Sequence, residues 1–105
     1  MTDWIEIHWT SGSLDEARRI ARRLVEGKWA ACAQIIPWIE SIYIWNRQLE
    51  TAQESKIVLK THRTKYDAIR QIIEQETSYE VPEILSFPID QINETYLAWL
   101  NETTT

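Results

Sequence analysis

The alternation of hydrophobic and polar residues changes its period along the chain, and these changes predict the order of the first elements. Residues 3–9 alternate apolar and polar side chains, which is the period of a strand with one buried face. From residue 14 to residue 25, apolar side chains instead recur every three or four positions and predict an amphipathic helix. Ser13 and Glu16 have the spacing of a capping box at its start, and Gly27 is suited to its end.

The rest of the chain contains three more strand patterns and two more helical patterns. Two strand-like runs lie at about residues 30–45 and 54–62, and a second helical stripe begins near residues 64–67. An apolar run at residues 84–89 predicts a last strand, and a short C-terminal helix is expected from about residue 93 to 100. This order is that of the ferredoxin-like βαββαβ sandwich, an α+β fold with both main helices on one face of an antiparallel sheet.

The first arm of the long central β-hairpin, residues 30–45, has apolar side chains on both faces. At ~15 residues it is much longer than the usual strand of about 5–6 residues. Trp38, Ile42 and Trp45 lie within it, and a small domain cannot cover all of them by itself. An exposed arm of this kind would pair with other chains without control. The pattern therefore predicts that the protein is not a monomer, and Pro37 is expected to mark a bend or bulge.

The hexapeptide Tyr-Glu-Val-Pro-Glu-Ile at residues 79–84 marks the change from the second helix to the last strand. Proline has a fixed φ and no N–H, so the helix must end before Pro82. The preceding residue, Val81, is restricted to an extended conformation for the same steric reason.

Four more stretches accompany this hexapeptide in order along the chain: residues 24–32, 41–45, 60–61 and 96–99. Together they resemble the CutA family, the small trimeric proteins first linked to tolerance of divalent cations, and the hexapeptide resembles the signature of that family. The resemblance implies a CutA-like homotrimer that is not an enzyme and that takes part in tolerance of divalent metal ions such as copper.

Composition and charge narrow the class of protein. The 105 residues are expected to form one domain, residues 1–102, followed by a disordered tail, residues 103–105. The net charge is −5 and no Lys or Arg follows Arg70, so nucleic-acid binding, which depends on neutralising phosphates, is not expected. No apolar run is long enough to cross a bilayer, and the start lacks a signal-peptide pattern. With a single cysteine, these features favour a cytoplasmic protein without a membrane partner.

The motifs of the common enzyme classes are missing from the sequence. Its two glycines are too few for a phosphate-cradling loop. Neither a nucleophile elbow nor a pairing of His with a carboxylate is evident. An enzyme is therefore not expected.

Trp45, Lys60, Tyr79 and Glu83 are the candidate residues for a ligand site. Lys60 follows an apolar strand, where a charged side chain needs a partner or a path to solvent. Glu83 follows Pro82 at the start of the last strand. The resemblance places the corresponding family residues in clefts between subunits. The set is expected either to bind a small ligand there or to form an interface salt bridge with its surrounding packing.

Cys32 is the candidate metal ligand, because thiolates favour copper and zinc. The three alanines at residues 30, 31 and 33 favour a different role, that of a small hydrophobic residue in a buried strand. Many relatives have His-Pro directly before the signature Tyr, whereas this chain has Glu-Thr-Ser at residues 76–78. We therefore expect no cofactor beyond a weakly bound divalent cation such as copper.

One alternative to a role in metal tolerance remains open, and a second one is disfavoured. The family resembles the nitrogen-regulatory signalling trimers in subunit fold and assembly. A trimeric ligand-binding or signalling protein, with an anion held between subunits near Lys60, Tyr79 and Glu83, is therefore a second hypothesis. An RNA-recognition domain shares the strand order, but the chain lacks the Gly-Phe-aromatic motif and the basic face of that class.

Two turns differ from the pattern of the family. Relatives commonly have glycine where this chain has Trp38 and Arg47, so the geometry of both turns is in doubt. Asn46, beside Arg47, tolerates left-handed backbone conformations. The overall fold is expected to survive these changes.

Overall fold

Residues 2–104 are described by the computed structural model, in which three helices accompany a sheet of four antiparallel strands. The strands are β1 (Trp4–Ser11), β2 (Cys32–Trp45), β3 (Gln48–His62) and β4 (Ile84–Pro88). The helices are α1 (Leu14–Glu26), α2 (Tyr66–Glu76) and α3 (Glu94–Thr103). The sheet has the order β2-β3-β1-β4, and each neighbouring pair is antiparallel. The predicted ferredoxin-like βαββαβ sandwich with a long central hairpin is confirmed.

The main core lies between one face of the sheet and the helices α1 and α2. Ile7 and Trp9 of β1 are fully buried there, because successive strand residues point to opposite faces. Leu24 of α1 and Ile69 of α2 pack into the same cluster. Since the apolar stripes of both helices have the helical period, both helices can cover one face of the sheet, as predicted.

A smaller core lies under α3, at one end of the opposite face. Trp4 of β1 points to this opposite face, and it packs there with Ala31 and with Leu100 of α3. The C-terminal helix therefore covers a part of the face that α1 and α2 leave open. The rest of that face carries Leu85 and Phe87 of β4, which are 47% and 44% exposed.

Two element boundaries are wrong in the sequence prediction. β3 begins at Gln48 rather than near residue 54, because a tight turn lets the pairing with β2 continue to the tip of the hairpin. Thr64, which was predicted to begin α2, lies in a 3-10 turn and donates its N–H to Nδ1 of His62 at 3.3 Å. The second helix begins at Tyr66.

The C-terminal helix is longer than the sequence predicted. It ends at Thr103, so the tail that was expected to be disordered from residue 103 onward begins inside the helix. Thr104 follows the helix and donates its hydroxyl to the carbonyl of Leu100 at 3.0 Å. Residue 105 lies outside the described residues.

The caps of α1 follow the prediction in part. Ser13 accepts the N–H of Glu16 at 3.2 Å, which confirms the predicted N-cap. At the other end, the helix stops before Gly27, but Gly27 has a φ of −80°. The left-handed conformation falls instead on Lys28, with a φ of 62°.

A β-bulge interrupts the pairing of β2 with β3 at Pro37 and Trp38. Ile36 is paired with Lys56 and Ile39 with Glu54, so β2 has one residue more than β3 between these two pairs. This extra residue is the definition of a bulge, and the prediction from Pro37 is confirmed. Beyond the bulge, the odd-numbered residues of β2 point to the face that even-numbered residues occupy before it.

A partly buried hydrogen bond holds the bulge in place. Ser55 of β3 is 3% exposed and donates its hydroxyl to the carbonyl of Pro37 at 2.6 Å. The irregular backbone at a bulge leaves a carbonyl without its ladder partner, and a side-chain donor satisfies it here.

The tip of the hairpin is a two-residue turn made of Asn46 and Arg47. Both residues have positive φ angles, 51° and 66°, as the type I′ turn requires of its two central residues. Asparagine tolerates this region, but an arginine there costs about 1–2 kcal/mol. The turn thus keeps the tight geometry of a glycine-containing hairpin at the expense of strain at Arg47.

We expect the substitution Arg47→Gly to stabilise the protein, because glycine adopts positive φ without a clash. The gain should be about 0.5–1 kcal/mol, since the greater freedom of glycine in the unfolded chain offsets part of the relieved strain. The measurement is the denaturant midpoint at a fixed protein concentration. Asn46→Gly is the matched control and should gain less, so a loss of stability in Arg47→Gly would show that its side chain has a stabilising contact.

Candidate functional site

A cavity of about 270 Å³ lies where the outer part of the β2–β3 hairpin meets the end of β1 and the α2–β4 loop, residues 77–83. Residues from all three of these segments line it. Three are carboxylates (Glu54, Glu80, Glu83), three are aromatic (Tyr43, Trp45, Tyr79), and the remaining two are Thr10 and Val81. No lysine, arginine or histidine is among the described residues that line it. The cavity is therefore both acidic and aromatic.

The bulge in β2 explains why the hairpin contributes to this cavity. Residues that pair across strands point to the same face of the sheet. Thr10 pairs with Lys56, and Glu54 lies two residues from Lys56 on β3, so Thr10 and Glu54 share one face. Beyond the bulge, Tyr43 and Trp45 point to that same face. Without the extra residue, both rings would point away from the cavity.

Tyr79 links the α2–β4 loop to the hairpin. Its hydroxyl donates to Oε2 of Glu54 at 2.6 Å. Burial raises the pKa of Tyr79 far above its ordinary value, and the hydrogen bond to Glu54 and the negative charge of Glu54 raise it further. The phenol is therefore held as a neutral donor, and Glu54 is held in one position.

Gly12 makes room for the ring of Tyr79. A Cβ atom at residue 12 would lie 2.9 Å from the Tyr79 hydroxyl and 3.0 Å from its ring, closer than side chains normally approach. Glycine is thus needed here for close packing and not for an unusual backbone conformation. The absence of a side chain lets Tyr79 reach Glu54.

Glu16 of α1 fixes the start of the same loop. Instead of closing the capping box predicted from the sequence, its carboxylate accepts the hydroxyl of Ser11 at 2.7 Å and the N–H of Ser78 at 2.9 Å. The N–H of Tyr79 is bonded in turn to the Thr77 hydroxyl at 3.1 Å. These bonds position the loop before the hexapeptide signature begins.

Three polar side chains of the cavity have no partner among the residues that the structure describes. Glu80 and Glu83 form neither an ion pair nor a hydrogen bond with any of them. The Thr10 hydroxyl likewise has no hydrogen bond with a described residue, although Thr10 is only 5% exposed. The Thr10 hydroxyl is not among the fully buried atoms that lack a partner, so it is open to the cavity, and a bound molecule could replace water as its hydrogen-bond partner.

The structure brings together three of the four residues that the sequence proposed as a ligand site. Trp45, Tyr79 and Glu83 line the cavity, whereas Lys60 does not. Lys60 lies in the middle of the sheet, opposite Glu6, and donates its ammonium to the side-chain carbonyl of Gln34 at 2.6 Å. Lys60 lies within β3, and this hydrogen bond gives its charged side chain a polar partner on the neighbouring strand.

Sequence reasoning missed Thr10, Tyr43, Glu54 and Glu80. Tyr43 lies in the apolar arm, but its face follows from the register shift at the bulge, and the sequence pattern does not show how the alternation resumes beyond that bulge. Glu80 lies inside the hexapeptide at residues 79–84, next to Tyr79 and close to Glu83. This position in the sequence could have indicated that it belongs to the same site.

Cys32 is half-buried, although the small apolar residues around it favoured a buried strand. The physical reason is that β2 is an edge strand, with a neighbouring strand on one side only. Tyr96 of α3 lies beside Cys32. Burial raises the pKa of Tyr96, and the interaction with Cys32 adds to this shift.

The two histidines lie in separate environments. His8 contacts Oε1 of Glu6 at 2.9 Å and packs against the ring of Phe87. His62 is bonded to Thr64 and lies 4.0 Å from a carboxylate oxygen of Asp3. In the described part of the chain, no three His, Cys, Asp or Glu side chains gather where they could hold a metal ion together.

Fold and cavity together define a class of protein: a ferredoxin-like α+β domain with a hairpin that extends beyond its sheet and an acidic, aromatic cavity beside that hairpin. Within residues 2–104, no helix is both long and apolar enough to cross a membrane. The family model described as "CutA1 divalent ion tolerance protein" matches residues 5–103. The chain belongs to this family.

Known relatives and solved structures agree with this assignment. The protein CutA homolog of Xenopus laevis is 43% identical over 86 residues, which are 82% of this chain and 57% of that protein. The divalent-cation tolerance protein CutA of Archaeoglobus fulgidus is 39% identical over 97 residues, 92% of this chain and 94% of that protein. The solved structure of the periplasmic divalent cation tolerance protein CutA from Archaeoglobus fulgidus has a TM-score of 0.93 at 36% identity, covering 97% of this chain and 99% of that one. The chain thus spans little more than half the length of the Xenopus relative.

The raised pKa of Tyr79 predicts a loss of stability in alkali that Tyr79→Phe should reduce. Below pH 10 the phenol is protonated in both states. Above pH 10 the unfolded chain releases this proton first, because the folded state holds it more tightly, so the free energy of unfolding falls as the pH rises. The slope is at most about 1.4 kcal/mol per pH unit for one proton.

The test compares chemical unfolding of the wild type and Tyr79→Phe at pH 9 and pH 11. The difference in stability between the two proteins should shrink at the higher pH. Equal slopes in both proteins would mean that Tyr79 ionises at its ordinary pKa.

Proposed function

We propose that this protein acts, as a homotrimer without enzymatic activity, in the tolerance of cells to divalent metal ions, copper included. The role is supported by membership of the CutA1 family over residues 5–103 and by the names of relatives, which refer to divalent-cation tolerance. The observation that carries the assembly is the apolar β2–β3 hairpin, which its own subunit leaves uncovered.

Both faces of this hairpin are exposed in the single subunit. On one face, Ile42, Ile44 and Leu49 are 64%, 66% and 71% exposed. On the other face, Tyr43 and Trp45 are 42% and 45% exposed. A soluble monomer rarely exposes so many large apolar side chains side by side. A second and a third copy of the chain would cover them, and the number three comes from the resemblance to the family.

The lack of an activated nucleophile supports the non-enzymatic part of the proposal. Tyr79 is held protonated by its raised pKa, so it is a poor base. The described residues that line the cavity include no Ser, Cys, His or Lys, and the Thr10 hydroxyl has no hydrogen bond with any of the three carboxylates that could activate it. A cytoplasmic location is proposed as well, on the ground that the single cysteine suits a reducing compartment.

Weak metal binding is the mode that this chain supports best. Tight sites for copper or zinc need several Cys, His or carboxylate ligands with fixed geometry. Cys32, His8 and His62 have other contacts, and the described residues offer no cluster of three ligands. The proposed role in tolerance therefore does not depend on a high-affinity site in one subunit.

A ligand-binding trimer is the second candidate function, and the cavity is the observation in its favour. The anion that the sequence suggested is a poor fit to this cavity, because it is lined by three carboxylates, while Lys60 is bonded to Gln34 elsewhere. A cation is the better match to the lining.

The double substitution Ile42→Glu and Ile44→Glu should dissociate the proposed trimer. Since both side chains are already exposed in one subunit, the change should cost the subunit itself little, whereas burying two carboxylates in an interface is strongly unfavourable. Light scattering at micromolar concentration should give a trimer mass for the wild type and a lower mass, or unfolding, for the variant.

The matched control is Gln71→Glu with Gln75→Glu, which adds the same charge to exposed positions of α2. This control should keep the trimer mass. A wild type that is a folded monomer at this concentration would contradict the proposed assembly, and so would a native mass in the hairpin variant.

Copper or zinc should bind the tag-free protein weakly and without a defined stoichiometry, because no described cluster of three ligands exists. Calorimetry of the wild type and of the variant His8→Ala, His62→Ala, Cys32→Ser should give similar weak isotherms. A submicromolar site with one metal per chain, lost in the triple variant, would show that these residues form a true site.

The role in cells is tested separately. Deletion of the gene in its own host should lower growth in elevated copper, and the restored gene should recover that growth. Unchanged copper sensitivity after deletion would contradict the proposed role.

A further inference from the structure

We propose that the cavity between the hairpin and the α2–β4 loop binds a small organic cation, an ammonium group on a carbon skeleton. The aromatic rings and the unpaired carboxylates of the cavity would hold the cation. This inference rests on the second candidate function, ligand binding in this cavity, and names its class of ligand; it does not depend on the proposed role in metal tolerance.

The charge of the cavity is the first argument. Its three carboxylates are not balanced by any Lys, Arg or His among the described lining residues. Glu54 is engaged by Tyr79, whereas Glu80 and Glu83 have no partner in the described part of the chain. Glu80 and Glu83 are exposed, so water screens their charges, and both carboxylates can turn towards a cation in the cavity.

The aromatic rings are the second and independent argument. Tyr43, Trp45 and Tyr79 line the same cavity as the carboxylates. The face of an aromatic ring attracts a cation, and tryptophan is the strongest of the three aromatic residues in this respect. Rings around a weakly hydrated ammonium group are a recurring solution for binding organic cations, whereas a tightly bound metal ion needs N, O or S ligand atoms that ring faces do not supply.

The Thr10 hydroxyl is the third argument. Thr10 is 5% exposed and lines the cavity, and its hydroxyl has no hydrogen bond with a described residue. The hydroxyl is not among the buried side-chain atoms that lack a partner, so it reaches the open space of the cavity, where a bound molecule can form a hydrogen bond with it in place of water. The carbon skeleton of the ligand is therefore expected to carry a polar group, such as a hydroxyl, that reaches Thr10.

The geometry argues against a chelated metal ion in the same place. A metal ion needs several ligand atoms around one point, at about 2.0–2.6 Å from it. The three carboxylates do not form such a group, since the described residues contain no cluster of three potential ligands. A volume of about 270 Å³ is also far more than a bare ion fills, and it suits a molecule of the size of choline.

Choline is the first probe, because it combines a quaternary ammonium with a hydroxyl, and ethanolamine is the primary-amine probe. The neutral control is 3,3-dimethyl-1-butanol, which has the shape of choline without its charge. Calorimetry at constant ionic strength should show saturable binding of at least one cation with one site per chain. The neutral isostere should bind at least about tenfold more weakly, since charge supplies much of the attraction.

Two substitutions then test the lining of the cavity. Glu83→Gln should weaken cation binding about tenfold, and Trp45→Leu about fivefold. Glu94→Gln on α3 and Trp38→Leu on the hairpin are the matched controls, because neither residue lines this cavity. Both controls should bind like the wild type. Circular dichroism and light scattering establish that each variant is folded and has the native mass.

The proposal is overturned if neither cation binds the wild type, or if the neutral isostere binds as well as choline. Both of these results come from the unaltered protein, so they hold even if a variant fails to fold. It is also overturned if Cu²⁺ or Zn²⁺ displaces choline stoichiometrically, because the cavity would then be a metal site. Loss of copper tolerance in the deletion strain is a separate readout, so failure here leaves the proposed function standing, and the reverse is also true.

Discussion

One extra residue in β2, at the bulge of Pro37 and Trp38, decides what the outer hairpin presents to the rest of the subunit. Side chains alternate strictly along a strand, so a single insertion exchanges the two faces of everything beyond it. Tyr43 and Trp45 consequently face Glu54, and Ile42 and Ile44 face the other way. The cavity and the exposed apolar face of the hairpin both depend on this one change of register.

The α2–β4 loop meets the hairpin through side chains and not through strand pairing. Glu16 and Thr77 fix the backbone before Tyr79, and Tyr79 reaches Glu54 because Gly12 has no side chain. The hydrogen bond occupies one carboxylate and orients one ring, so part of the cavity is already in position before any ligand arrives. Preorganised groups of this kind lose little freedom on binding.

Pattern and motif predicted the order of the elements, because periods of two and of about 3.6 residues are local properties of the sequence. The bulge was also foreseen, since Pro37 cannot donate to the ladder. Its consequence was not, because the face of Tyr43 follows from the pairing with β3, which is a tertiary property. The same holds for Lys60, whose partner Gln34 lies on another strand. The strained Arg47 shows that the hairpin register can impose a conformation that the residue itself disfavours.

Assembly and cation binding are connected through Trp45. This residue lines the cavity, yet 45% of its surface is exposed in one subunit, as is 42% of Tyr43. In the proposed trimer a neighbouring chain that covers the hairpin would exclude water from these rings. Electrostatic attraction grows as water is excluded, so the carboxylates would then hold an organic cation more strongly. By linkage, a cation bound in the cavity would stabilise the trimer to the same extent.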